Sequence, residues 1–110
     1  MRANVVKYAD AAPQDLGGGL TRRVLSRTPE MMVVEVSFEE GGVGPVHTHP
    51  HVQSTYVVSG AFEFNIDGAS VVVRPGDTIT FASNVAHGTR CLEAGAVLDV
   101  FSPQREDFLV

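Results

Sequence analysis

The sequence predicts an all-β chain closed into one small sandwich or barrel, and three observations carry that prediction. Valine is the commonest residue, with eighteen copies. Eleven glycines and six prolines cut the chain into runs too short for helices. The runs themselves are rich in β-branched and aromatic residues and end in turn formers, the pattern of short antiparallel strands. At 110 residues there is material for one domain, which buries roughly 65% of its unfolded surface.

In chain order the candidate strands are Leu20–Arg27, Met31–Phe38, Gln53–Ser59, Ala61–Ile66, Ser70–Arg74, Thr78–Phe81, Ala86–Cys91 and Val97–Phe101. Each is bounded by Gly, Pro, Asn or Asp. Ser59-Gly60 and Asp67-Gly68 supply the positive φ of tight hairpins, and Arg74-Pro75-Gly76-Asp77 fits a type II turn. Phe62, Phe64 and Ile66 alternate with Glu63, Asn65 and Asp67, so that strand has one dry and one wet face. Residues 1–19 lack periodicity and end in Gly17-Gly18-Gly19, which reads as an N-terminal arm leading into a domain over 20–110.

Eight Lys+Arg against thirteen Asp+Glu leave a net charge of −5 with no run of like charge. No nucleic acid and no membrane surface is expected as a partner; a small molecule is. The single cysteine, Cys91, closes no intrachain disulfide, and the first twenty residues carry Arg2, Lys7, Asp10 and Asp15 without an apolar run. Both features predict a cytoplasmic protein.

Three of the four histidines stand at 47, 49 and 51. In extended chain, i and i+2 side chains share a face, so His47 and His49 can aim imidazoles at one point, which is metal-ligand spacing. His51 continues the series beyond Pro50, which turns or stiffens the chain, and is read as a supporting or surface residue. Gly41, His47-x-His49, Gln53 and Gly60 together resemble the first motif of the cupins, with Gln53 where Glu is usual. Gly76-Asp77 and His87 resemble the second motif more loosely, since Ala82, Asn84 and Cys91 replace the usual Pro, Gly and Asn. The resemblance covers about residues 20–101 and implies a single-domain jelly-roll barrel. It also implies one divalent metal held by His47, His49, Gln53 and His87. Three imidazoles and an amide form a neutral shell that suits Zn, Ni, Mn or Fe. Cys91 shares parity with His87 and Thr89, so it either lines the site or fills core as a small apolar residue.

A tighter resemblance rests on His47 to Gly60, Asn65-Ile66-Asp67-Gly68, Asn84-Val85-Ala86-His87-Gly88 and the ending Leu98-Asp99-Val100-Phe101-Ser102-Pro103-Gln104-Arg105-Glu106-Asp107-Phe108-Leu109. Together these look like the small pectin-degradation cupins of the KdgF type. Such a protein is expected to act on 4,5-unsaturated monouronates from pectin or alginate, opening the cyclic sugar to a linear 4-deoxy-5-keto-uronate. Val97, Asp99 and Phe101 share one strand face, so Asp99 looks either to solvent or into a cavity. In a cavity Asp99 is the candidate general acid/base. Arg105 either grips the carboxylate of an anionic sugar substrate or pairs with Glu106 or Asp107, and Phe101 packs on the sugar or in the core. The competing activities are a dioxygenase, a sugar isomerase, and a non-catalytic sugar-binding sensor. Sheet edges and apolar faces of so small a barrel predict a homodimer.

Overall fold

A computed structural model of the protein describes residues 2–109. Its strands are β1 (Gln14–Gly17), β2 (Leu20–Thr28), β3 (Met31–Phe38), β4 (Val43–His47), β5 (Val52–Ile66), β6 (Ala69–Val73), β7 (Thr78–Phe81) and β8 (His87–Ser102), with short 3₁₀ turns at Tyr8–Asp10 and Glu106–Leu109. All pairings are antiparallel. The order is β1-β2-β3-β8-β5-β6, with β4 added to β8 and β7 to β5. No helix among the described residues is long and apolar enough to cross a membrane.

The two long strands organise the barrel. β5 pairs with β8 from Val52↔Ser102 to Ile66↔His87, and each exchanges its other neighbour midway. β8 pairs with β4 early and β3 late, while β5 pairs with β7 early and β6 late. This corrects the hairpin read at Ser59-Gly60, and likewise the division of β5 and of β8 into two strands each. Gly60 does take a positive φ of 79°, but in a bulged bend where the register shifts between Val57 and Phe62. A Cβ on Gly60 would overlap the Glu93 carbonyl, and one on Gly95 the Ser59 carbonyl. Glycine is needed there because two backbones cross. The bulge also switches inward parity, from Gln53, Thr55 and Val57 before it to Phe62 and Phe64 after it.

The other turns match their sequence. Asp67 (φ 49°) and Gly68 (φ 86°) form the β5–β6 hairpin, and Asp77 N donates to Arg74 O at 2.9 Å across the Pro75-Gly76 turn. β1 and β4 are additional strands that the sequence pattern does not reveal. Both are short and largely exposed, so ladder hydrogen bonds define them where an apolar alternation is missing. β1 lies inside residues 1–19, and the arm ahead of it is docked: Tyr8 Oη donates to Glu35 at 2.6 Å, and Arg23 Nη1 to Ala11 O at 2.8 Å.

Two apolar clusters fill the interior. Phe38, Phe62, Phe64, Phe81 and Val97 belong to the larger, and Met32, Val34 and Phe101 form the smaller. Each fully buried side chain of this size contributes about 1.5–3 kcal/mol. Cys91 belongs to the larger cluster, with its thiol donating to Glu93 O at 3.0 Å. Cys91 is buried and lies outside the cavity lining, so it is a core residue, and that burial pushes its thiol up.

Candidate metal centre

Sheet register brings the distant histidines together. His47 ends β4 and lies opposite His87, which begins β8. His49 follows in a loop pinned by Asn84, whose N–H donates to His49 O at 2.8 Å. Asn84 takes a φ of 64°, the left-handed conformation that Asn tolerates better than most residues. The ligating nitrogens of His47, His49 and His87 lie within 4.8 Å of one another. His49 and His87 are buried, and His47 stands at the open side. Phe81 stacks on the His87 ring at 4.3 Å between centroids and fixes its plane.

The hydrogen bonds orient these rings for metal binding. His87 Nδ1 faces Val85 O at 2.9 Å, and His49 Nδ1 faces His51 O at 3.1 Å. A carbonyl only accepts, so each Nδ1 carries the proton and each Nε2 an outward lone pair. Gln53 Nε2 donates to Thr55 Oγ1 at 3.0 Å and to Asp99 Oδ1 at 3.2 Å. Its amide oxygen therefore faces His49 Nε2, at 2.9 Å. Two acceptors this close share no proton between them, but they share a cation well. His47 Nε2 and His87 Nε2 are 3.2 Å apart in the same cradle. The three imidazoles thus could hold a divalent metal, and the Gln53 amide oxygen lies beside them as a further oxygen donor. Partial desolvation of its ring against the cradle, then the neighbouring His87 and His49, lower His47 to about 4 although it stands at the open side. Burial also lowers His87, so both lone pairs stay available at neutral pH.

A cavity of about 300 Å³ opens beside the cradle, at the small end of ligand sites, which run roughly 300–1,000 Å³. His47, Gln53 and His87 line it together with Asp99, Phe101, Arg105 and Phe108. Asp99 faces the cavity and not bulk solvent. Its Oδ1 accepts from Thr55 Oγ1 at 2.6 Å as well as from Gln53. Burial raises its carboxyl to about 6, against the opposing pull of the Thr55 and Gln53 hydrogen bonds and the Arg105 charge.

Arg105 makes the Asp107 pairing that the sequence offers and also reaches the cavity. It lines the cavity, while its Nε and Nη2 form a fork on Asp107 at 3.1 and 2.9 Å. That hydrogen-bonded pairing holds the Asp107 carboxyl below its usual range. Phe101 likewise packs with Met32 and Val34 yet presents surface to the cavity. His51 stays outside the cradle: its ring meets His49 and Phe101 edge-on, and its Nε2 faces Gln104 O at 3.2 Å.

Three residues at the site escape the sequence reading. Thr55 is signalled by its i+2 spacing from Gln53. Arg22 stands between Leu20 and Val24 on the inward side of β2 and lines the cavity. Phe108 lies under two guanidiniums, 3.8 Å from Arg22 and 4.3 Å from Arg105. An arginine at an inward parity position is a visible signal, whereas the folding-back of Phe108 from the 3₁₀ turn is not.

Comparison with known proteins agrees with this architecture. The cupin domain model matches residues 34–101. The pectin degradation protein KdgF of Dickeya dadantii is 40% identical over 98 residues, covering 87% of this chain and 89% of that protein. The crystal structure of an RmlC-like cupin from Shewanella frigidimarina superposes with a TM-score of 0.91 at 40% identity, over 94% of each chain. KdgF from Halomonas sp. gives 0.91 at 35% identity, over 96% of this chain and 98% of that one. A likeness that runs almost end to end in both directions places the chain in the cupin family and, within it, among the KdgF-type pectin-degradation cupins.

Proposed function

We propose that this protein is a metal-dependent enzyme that opens and ketonises 4,5-unsaturated monouronates to linear 4-deoxy-5-keto-uronates. The observation that carries the reading is Asp99: a carboxyl group walled into a sugar-sized cavity and joined through the Gln53 amide to a three-imidazole cradle. The likeness to the pectin degradation protein KdgF of Dickeya dadantii supports a pectin-derived sugar acid as the substrate.

The conversion is an isomerisation. The hemiacetal hydroxyl loses its proton as the bond from C1 to the ring oxygen breaks, which leaves an aldehyde at C1 and an enol at C5. C4 then takes a proton and the enol oxygen gives one up, so no atom is gained or lost. His47, His49, His87 and Gln53 would hold a divalent ion, which when bound would supply Lewis-acid stabilisation of charge on the sugar oxygens. Asp99 moves the proton to C4, with Thr55 and Gln53 keeping its carboxyl pointed across the cavity. Arg105 has its Nε–Nη2 edge on Asp107, so it meets a substrate carboxylate through its remaining donors. Phe101 and Phe108 offer apolar surface to the ring. A neutral shell of three imidazoles and an amide would leave a bound ion close to its full charge, which would favour an anionic sugar.

The test is direct. Metal-loaded protein is mixed with freshly generated 4,5-unsaturated galacturonate, and loss of the C=C absorbance is followed against the spontaneous rate. Accelerated loss that disappears on chelation and returns with metal is expected. A rate equal to buffer alone would leave a sugar-binding cupin without this activity.

A further inference from the structure

Arg22 makes no ion pair among the described residues. It lies on β2 opposite Gln14 of β1 and Val36 of β3, half-buried, with its side chain on the cavity wall. Its Nε donates to Gln14 Oε1 at 2.9 Å, and its guanidinium rests 3.8 Å from the centre of the Phe108 ring. Among the described residues the ion pairs are Arg90–Glu63 and Arg105–Asp107, so no carboxylate lies within salt-bridge distance of Arg22. Arg105 stands over the same Phe108 ring at 4.3 Å. Asp107 is bonded to Arg105 and Asp99 to Thr55 and Gln53, so neither carboxylate of this wall is paired with Arg22 and its guanidinium remains open to an incoming anion.

The hydrogen bonds also distinguish the two arginines. Asp107 occupies the Nε–Nη2 edge of Arg105, one of the edges that can grip a carboxylate in parallel. Gln14 takes only Nε of Arg22, which leaves its Nη1–Nη2 end free to make two parallel bonds. We propose that Arg22 is a second carboxylate-binding residue of this cavity, gripping the acid group of a monouronate through its terminal nitrogens while Gln14 and Phe108 hold it in place. The inference rests on the proposed function for the kind of sugar acid that binds. The short strand β1 thereby becomes part of the binding site, because its Gln14 sets the angle of the guanidinium.

The experiment uses metal-loaded protein and two sugars that it cannot turn over, galacturonate and the neutral galactose, with affinities read by calorimetry or ligand-observed NMR. The parent should prefer galacturonate. Arg22→Met should weaken galacturonate about 10- to 100-fold, the range of one charge-assisted pair, and leave galactose within about twofold. Arg22→Lys keeps the charge without the fork and should recover only part of the loss. If Arg22→Met does not fold, Gln14→Leu decides, since it keeps the cation and removes its anchor; a several-fold loss for galacturonate alone is expected. Unchanged galacturonate affinity, or an equal loss for both sugars, overturns the proposal in favour of a packing role on Phe108, and so does a parent that prefers neither sugar. An Arg22-dependent preference in a protein that leaves the unsaturated uronate untouched would keep the carboxylate site and reject the reaction. Catalysed turnover with no change in Arg22→Met would do the reverse.

Discussion

Asp99→Asn should lower kcat on the order of 10²–10⁴-fold with little change in KM, the signature of an interaction made only as the proton moves. The substitution is clean because of what surrounds the carboxyl. Thr55 Oγ1 and Gln53 Nε2 both donate to Oδ1, and an Asn side chain oriented with its oxygen there accepts both bonds. Packing, ligand orientation and metal content are therefore kept, while the group that exchanges a proton is gone. Single-turnover absorbance traces with metal-loaded protein separate the chemical step from product release. A parental single-turnover rate in Asp99→Asn would remove Asp99 from the proton path and leave it as a hydrogen-bonded brace for Gln53.

His47→Ala should abolish metal retention and, with it, catalysis above the spontaneous rate. His47 is the informative ligand to remove, because it stands at the exposed side of the cradle while His49 and His87 are buried. Truncating His87 would also take away the ring stacked on Phe81, so lost stability and lost metal would be confounded. Without metal, the His47→Ala protein should melt close to the metal-free parent. With metal at about a thousand times the parent's dissociation constant, the parent gains about 4 kcal/mol of stability and the variant gains little. Metal analysis after dialysis, alongside melting curves with and without the ion, reads both effects. Full metal content in the variant would exclude His47 from the ligand set.

Much of the site is legible in the chain because strand geometry is local. The i, i+2 spacing of His47 and His49 puts two imidazoles on one face, and the parity of Val97, Asp99 and Phe101 narrows Asp99 to one of two directions. Which direction is a property of closure: Asp99 looks inward because β8 pairs with β3 on one side and β5 on the other, and no local pattern states that. The bend at Gly60 is misread as a hairpin for a related reason. Positive φ is signalled by glycine, but whether the chain reverses or only kinks depends on the strand beside it, here the segment around Gly95. β1 and β4 lack an apolar alternation, so their pairing partners define them. Arg22 is passed over because charge on a strand ordinarily marks the wet face, and only the cavity makes an inward arginine tolerable.

The long β5–β8 ladder also imposes an order of assembly. Its innermost pair, Ile66 with His87, closes a loop of 21 residues, and its outermost, Val52 with Ser102, one of 50. Loop-closure entropy makes the second dearer than the first by about 0.8 kcal/mol when each is formed alone, so zippering outward from the Ile66↔His87 pair is the less costly route. His87 is then in place early, while the Gln53↔Phe101 and Thr55↔Asp99 pairs close last. The same end is the first to open when the native state frays, which amide exchange faster at Gln53 and Asp99 than at Asn65 and Gly88 would register. Because Gln53 and Asp99 sit at the same end of this ladder, a partial opening there withdraws the proton-handling carboxyl and the amide beside the imidazoles together, while His87 keeps its place.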